Sequence, residues 1–247
     1  MGRGFTLIEL SLVLILVGIA SVVGIEELSQ HLNAERYEST RAQIEAYGIA
    51  ILGNPNSTRN GDRVSFGYVG DWGSLPATLS NLITAQAPAW SYDATHGVGA
   101  GWHGPYLQGS IGGVNPTLDG WGNAYIYSPA ASPPSLTSYA SDASVGGTSF
   151  NEDIQLTFPT SLWQGNVSGT VRVGDTVKSG ETVEIRYPVA GVLTAFTTVT
   201  AADGSFNFAN VPYGVRSLAV TAPAPLIGPK QVVVQRPQNQ FSLVFYE

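Results

Sequence analysis

Glu9 is the lone charged side chain in a long apolar run. Residues 5–25 are otherwise broken only by Thr6, Ser11 and Ser21 among apolar residues and glycines. A carboxylate at membrane depth costs on the order of a few kcal/mol unless something neutralises it. The chemistry that this spacing points to is therefore charge pairing with a group outside the run. No catalytic constellation competes with it. The chain lacks cysteine, which removes disulfides, Cys-ligated zinc and a thiol nucleophile. There is no Ser-His-Asp order, phosphate-binding glycine loop or close carboxylate pair, so an enzyme is not expected. His96 and His103 have no acid cluster beside them in sequence and make a weak metal signal. Trp72, Trp90 and Trp102 could form a stacking surface for sugars, but aromatic rings in a small domain are expected to fill its core or pack onto a helix.

The element that must carry Glu9 is a helix. Residues 5–25 make about 21 positions, close to the ~20 that cross a bilayer. Arg3 precedes the run and Glu26 and Glu27 follow it, which predicts an N-in, C-out orientation. A cleaved secretory signal would have a shorter apolar core. Here the helical pattern continues, with Leu28, Leu32, Ile44, Tyr47 and Ile51 recurring near the helical period and Glu35, Arg36, Glu38, Arg41 and Glu45 on the polar face. No proline occurs before Pro55, and Gly53-Asn54-Pro55 reads as a stop. One helix from Phe5 to Leu52 would be roughly 70 Å long.

The string Gly4-Phe5-Thr6-Leu7-Ile8-Glu9 resembles the processing motif of type IV pilins and type II secretion pseudopilins. The resemblance implies cleavage between Gly4 and Phe5 by a prepilin peptidase and methylation of the new Phe5 amine. It makes Glu9 the fifth residue of the mature chain, which in this family pairs with the N-terminal amine of a neighbouring subunit. That amine is the missing partner of the buried carboxylate. Gly18 and Gly24 would allow close helix approach, and in filaments of this family the glycine-containing region can unwind.

Residues 53–160 read as loop-rich. Leu75–Ile83 reads as a short helix after a turn, and Tyr125–Tyr127 as a strand next to the turn glycines Gly120 and Gly122. Gly104-Pro105-Tyr106-Leu107, Asp119-Gly120-Trp121-Gly122 and the loop running from Ser138-Tyr139-Ala140-Ser141-Asp142 to Asn151-Glu152-Asp153-Ile154 are similar, in this order, to the globular head of the major pseudopilin. Two positions depart from that pattern: Gly120 stands where the family usually has proline, and Ala143 where it usually has glycine. The last loop commonly binds calcium in the family, through carboxylates and carbonyls suited to a hard cation. Carried over by position, the ligands are Asp142, Asp153 and Glu152, with carbonyls near Tyr139.

After Pro159 the texture changes to alternating strands at Val167–Val173, Thr182–Tyr187, Ala195–Thr200, Ser205–Phe208, Arg216–Thr221, Gln231–Gln235 and Phe241–Tyr246. Seven short strands with turn signals between them predict a two-sheet sandwich, with Val167, Val171, Val173, Val183, Ile185 and Tyr187 facing inward. The run Thr197 to Gly214, with Asp203-Gly204, Phe206, Phe208 and Val211-Pro212-Tyr213-Gly214, resembles carboxypeptidase-regulatory or transthyretin-like sandwiches, which are non-catalytic spacers or binding modules.

The expected fold is thus α+β: a leader (1–4), a transmembrane and filament-core helix (5–52), a small loop-rich α/β head (53–160) and an all-β sandwich (161–247). The net charge of -7, with 12% charged residues and no Lys/Arg cluster, excludes nucleic acid as a partner. The resemblance implies a filament subunit of type II secretion, made in the inner membrane with its head periplasmic or extracellular. Its implied partners are membrane lipid, the prepilin peptidase, an inner-membrane assembly platform, minor pseudopilins and further copies of itself. A type IV pilin for adhesion or motility, and a membrane-anchored display protein with a carbohydrate-binding sandwich, are the alternatives.

Overall fold

The computed structural model describes residues 6–107, 117–223 and 227–245, apart from the side chains at 20, 22–24, 227 and 245. Helix α1 (Leu7–Leu52) runs for 46 residues and stops at Gly53, whose φ of +79° lets its N–H reach Ile49 O. Such a backbone conformation strains any residue with a Cβ, and a Cβ here would also strike Phe66 N.

The helix has two unlike halves. Thr40, Ile44, Tyr47 and Ile51 repeat at helical spacing and are buried under the rest of the chain. From Leu7 to Leu32 every described side chain is exposed, Leu7 at 88% and Ile25 at 68%. Leu28 and Leu32, expected on the packed face, lie above the head and remain uncovered. Among the described residues no helix is long and apolar enough to cross a membrane. The membrane span expected over 5–25, part of which lies outside those residues, is therefore not shown by the fold.

The head is built from short pieces. The hairpin β1 (Thr58–Arg59) and β2 (Asp62–Arg63) is followed by helix α2 (Gly67–Trp72), a second hairpin β3 (Ser91–Asp93) and β4 (Val98–Ala100), and the antiparallel sheet β5 (Ile126–Ser128), β6 (Ser135–Ser138) and β7 (Ile154–Thr157). The segment expected as a short helix at 75–83 is a single 3₁₀ turn, Leu79–Leu82, capped by Thr78 and Asn81. The strand expected at Tyr125 starts one residue later. Tyr125 instead turns onto α1, edge-on to Tyr47 at 5.5 Å and donating its hydroxyl to Gln43 Oε1 at 2.8 Å.

The C-terminal strands are β8 (Gln164–Val173), β9 (Thr176–Val177), β10 (Thr182–Val189), β11 (Val192–Val199), β12 (Ser205–Pro212), β13 (Gly214–Ala222), β14 (Ile227–Val234) and β15 (Gln238–Phe245). They form two facing sheets, ordered β11-β10-β13-β14 and β12-β8-β15, with the two-residue β9 added at the edge of β8. All seven expected strands are present, mostly longer than the alternation alone delimits. Tyr246 lies outside the described residues. Val167, Val171, Val183 and Ile185 are fully buried, with Val173 and Tyr187 packed at the rim. Gly169 interrupts the inward row because a Cβ there would come within 2.7 Å of the Phe206 ring.

Head and sandwich share a continuous seam. Phe66, just before α2, belongs to the sandwich core. Arg216 on β13 is 1% exposed and spends its guanidinium on four carbonyls: Pro212 (2.9 Å), Tyr213 (2.5 Å), Val215 (3.2 Å) and Gly70 of α2 (3.0 Å). Burial pulls its pKa down to about 9, against the pull of Asp71 and Tyr187, which leaves it charged at neutral pH. The Gly191 N–H donates to Trp72 O at 3.0 Å and adds a second tie.

Arg216→Ala would strand those carbonyls in a dry seam. Urea denaturation of the full chain in detergent should show a loss of about 3 kcal/mol. Arg216→Lys should recover only part of it, because an ammonium cannot present the planar fork. An unchanged midpoint in both variants would contradict this role.

Candidate functional site

Glu9 sits at the third position of α1 and closes a capping box. Its Oε2 accepts hydrogen bonds from Thr6 N (2.9 Å) and Thr6 Oγ1 (2.9 Å), while its own N–H donates to Thr6 Oγ1 at 3.3 Å. The carboxylate is therefore partnered within one subunit, beside the start of the helix, where the macrodipole also favours negative charge. The Thr6-x-x-Glu9 spacing is itself a capping-box signature, a local partner for the carboxylate that the apolar run around it masks. Gly4 and Phe5, the expected processing site, lie outside the described residues.

The loop expected to bind calcium spans 139–153. Tyr139 precedes a 3₁₀ turn, Ala140–Asp142, and a second such turn occupies Ser149–Asn151. Asp142 is exposed, and its Oδ1 accepts from Ser144 N at 3.1 Å. Asp153 reaches back across the loop, its Oδ2 accepting from Gly146 N at 3.0 Å. Its Oδ1 is buried with no hydrogen-bond partner among the described residues. An orphaned carboxylate oxygen in a polar loop is an atom that a hard cation would satisfy. Glu152 is exposed and contributes its backbone N–H to Ser149 O. Among the described residues no three His, Cys, Asp or Glu side chains converge on one point. A calcium ion here would draw most of its oxygens from backbone carbonyls and hydroxyls around Asp153.

Asp119, which opens the Asp119-Gly120-Trp121-Gly122 block but was given no role of its own, organises this loop. Asp119 is 4% exposed. Its Oδ1 accepts from Trp121 N (3.0 Å) and Asn123 N (2.8 Å), and its Oδ2 from Ser138 Oγ (2.6 Å). Asn123 then donates to Ala140 O at 2.7 Å. The same turn grips α1, with Gly120 N donating to Thr40 Oγ1 at 2.9 Å and Trp121 Nε1 to Asn33 Oδ1 at 3.2 Å. Any Cβ at 120 would strike Arg36 O, the physical reason for glycine there. Phe150 of the acidic loop meets Tyr37 of α1 edge-on, ring centres 6.4 Å apart. Loop, turn and helix thus form one unit at the last point where α1 touches the head. The Asp-Gly-Trp-Gly spacing was visible in the sequence; its grip on α1 depends on residues about 80 positions away.

The aromatic residues divide. Trp72 and Trp102 pack against the head core as expected. Trp90 does not: it is 37% exposed and stacks on Tyr92 and His103. His96 pairs with Asp93, Nδ1 to Oδ2 at 2.7 Å. That hydrogen bond is the main cause holding the Asp93 carboxyl below its ordinary range.

Residues 68–157 match the family model of the type II secretion system (T2SS), protein G, a stretch that includes the Asp119 turn and the acidic loop. No curated protein matches the chain. Among solved structures, the dioxygenase domain of a dioxygenase carbohydrate-binding protein fusion from Streptomyces sp. SirexAA-E is 17% identical over 34% of this chain and 80% of that one, with a TM-score of 0.29. The group B streptococcus pilus 2b backbone protein is 13% identical over 41% and 46%, with a TM-score of 0.30. The Bacillus cereus major pilin subunit BcpA is 17% identical over 48% and 39%, with a TM-score of 0.28. Overlaps this loose assign nothing to the chain.

Ala143, where a glycine was expected, adopts φ +54° and ψ 28°. The left-handed turn is thus kept by a residue that resists it. Ala143→Gly should stabilise the head by up to about 1 kcal/mol, the relieved strain exceeding the added freedom of the unfolded chain. Thermal unfolding followed by circular dichroism checks this, and a lower midpoint would refute the strain.

Proposed function

We propose that this chain is the structural subunit of a pilus-like filament of the type II secretion kind, cleaved after Gly4 and polymerised through α1. The observation that carries this reading is the unlike halves of α1. Its lower half is packed and hydrogen-bonded, whereas its upper half leaves Leu7, Ile8, Leu14, Ile15, Ile19 and Ile25 exposed among the described residues. An apolar surface of that extent requires lipid or other helices to cover it. Lipid covers it before assembly, in an inner membrane with the head on the far side; helices of neighbouring copies cover it afterwards. The match of residues 68–157 supports the same class.

In this reading Glu9 exchanges its Thr6 partners for the Phe5 amine of an adjoining subunit, turning a local cap into an intermolecular ion pair in a water-poor core. A prepilin peptidase exposes that amine, and the assembly platform and minor pseudopilins start and extend the filament. Calcium, bound at Asp153 and Asp142 with loop carbonyls, stiffens the unit that joins head to helix. The work is mechanical and no catalysis is assigned.

In cells carrying Glu9→Ala, sheared filaments should disappear while the subunit persists in the membrane fraction. N-terminal sequencing of wild-type filaments should begin at methylated Phe5. Intact filaments in the variant, or a retained Met1, would refute the proposal. For calcium, melting of the full chain in detergent should rise by a few degrees at about 1 mM Ca²⁺ relative to EGTA. Asp153→Asn should abolish that rise, and an equal rise in the variant would remove Asp153 from the site.

A further inference from the structure

A cleft of about 440 Å³ opens where the head meets the sandwich, between the β3–β4 hairpin and α2 on one side and β13–β14 on the other. Its size lies within the range of small-molecule sites. Four rings line it: Phe66, which belongs to the sandwich core, and the stacked Trp90, Tyr92 and His103. Trp90 stacks on His103 with centres 4.6 Å apart and planes 17° apart, and on Tyr92 at 6.2 Å and 23°. Tyr92 is 53% exposed and the His103 side chain 60%. Gly99 holds the indole in place, since a Cβ there would lie 2.5 Å from the Trp90 ring. Stacked aromatic rings left in water, instead of being turned into a core that lies nearby, need an explanation other than packing.

The polar lining is of a particular kind. Asp71 faces the cleft with its Oδ2 accepting from Tyr106 OH at 3.0 Å, and its carboxyl is pushed above its ordinary range mainly by burial. Gln231 of β14 reaches over to Gly97 O. Arg216 forms part of the wall, but its guanidinium is committed to four carbonyls. It has little left to offer a phosphate or sulfate, and Asp71 would repel either. No described residue of α1 lines the cleft, so polymerisation through the exposed half of that helix would leave it accessible.

We propose that this cleft is a binding site for a neutral saccharide, with the Trp90-Tyr92-His103 stack taking the apolar C–H face of a pyranose and Asp71 and Gln231 its hydroxyls. A sugar ring matches both halves of the lining: one face is apolar and the rim is all hydroxyl, which a carboxylate and an amide can hydrogen-bond. The site belongs to the head–sandwich seam and does not depend on the chain forming filaments.

The test uses the full chain in detergent, titrated with cellohexaose, xylohexaose and mannohexaose, with a heparin-derived hexasaccharide as the anionic arm, and read by calorimetry and tryptophan fluorescence. At least one neutral probe should bind saturably. Tyr92→Ala and Asp71→Asn should each weaken it about tenfold, equivalent to about 1.4 kcal/mol. Phe196→Ala, at an exposed ring on β11 outside the cleft, should not. Tyr92 is chosen because so exposed a ring can be truncated without opening the core, and near-UV circular dichroism checks that both cleft variants stay folded. Binding of none of the three neutral probes, tighter binding of the heparin fragment, or affinity unchanged in both folded variants would each overturn the proposal.

Discussion

A single buried guanidinium sets the geometry of the lower part of this molecule. Arg216 rises from the sandwich, satisfies three carbonyls of its own strand region and a fourth at Gly70 of the head, and is dry at 1% exposure. Burying a charge is unfavourable unless its hydrogen-bonding directions are filled, and here carbonyl dipoles fill them in place of a carboxylate. The consequence is rigidity. With Phe66 set into the sandwich core and Gly191 tied to Trp72, the added strands are joined to the head as one packed body. A module so held would stand in a defined orientation on a filament.

That orientation matters because the other end of the molecule is unsatisfied. Thr6 and Glu9 close the start of α1 within one subunit, so the carboxylate is not left bare before assembly. The apolar side chains that follow find no such internal solution among the described residues. A local cap is easily exchanged for a stronger ion pair, whereas exposed leucines and isoleucines have no substitute for burial. In the filament reading, hydrophobic area supplies the drive and Glu9 supplies the register.

Between these two regions lies the Asp119 turn. It binds the backbone of its own segment, the acidic loop through Ser138 and Asn123, and α1 through Thr40 and Asn33. Force passing along α1 would enter the head here. The orphaned oxygen of Asp153 lies in the loop that meets the helix through Phe150 and Tyr37.

Residue spacing along the chain was enough to specify the elements whose signal is periodic and local. The helix ending at Leu52, the seven strands and the inward row of Val167, Val171, Val183 and Ile185 all follow from spacing, because a period of 3.6 or 2 puts apolar side chains on one face wherever that face is buried. The acidic loop was legible from its residues, though not which carboxylate oxygen lacks a partner. Tertiary structure alone decided that Leu28 and Leu32 escape the head, that Trp90 turns outward while Trp72 and Trp102 turn in, and that Arg216 is the joint. These depend on contacts between segments up to about 150 residues apart, such as Gly70 with Arg216 and Gly97 with Gln231. No local propensity encodes such pairs: they exist only once the backbone has brought carbonyl and donor within bonding distance.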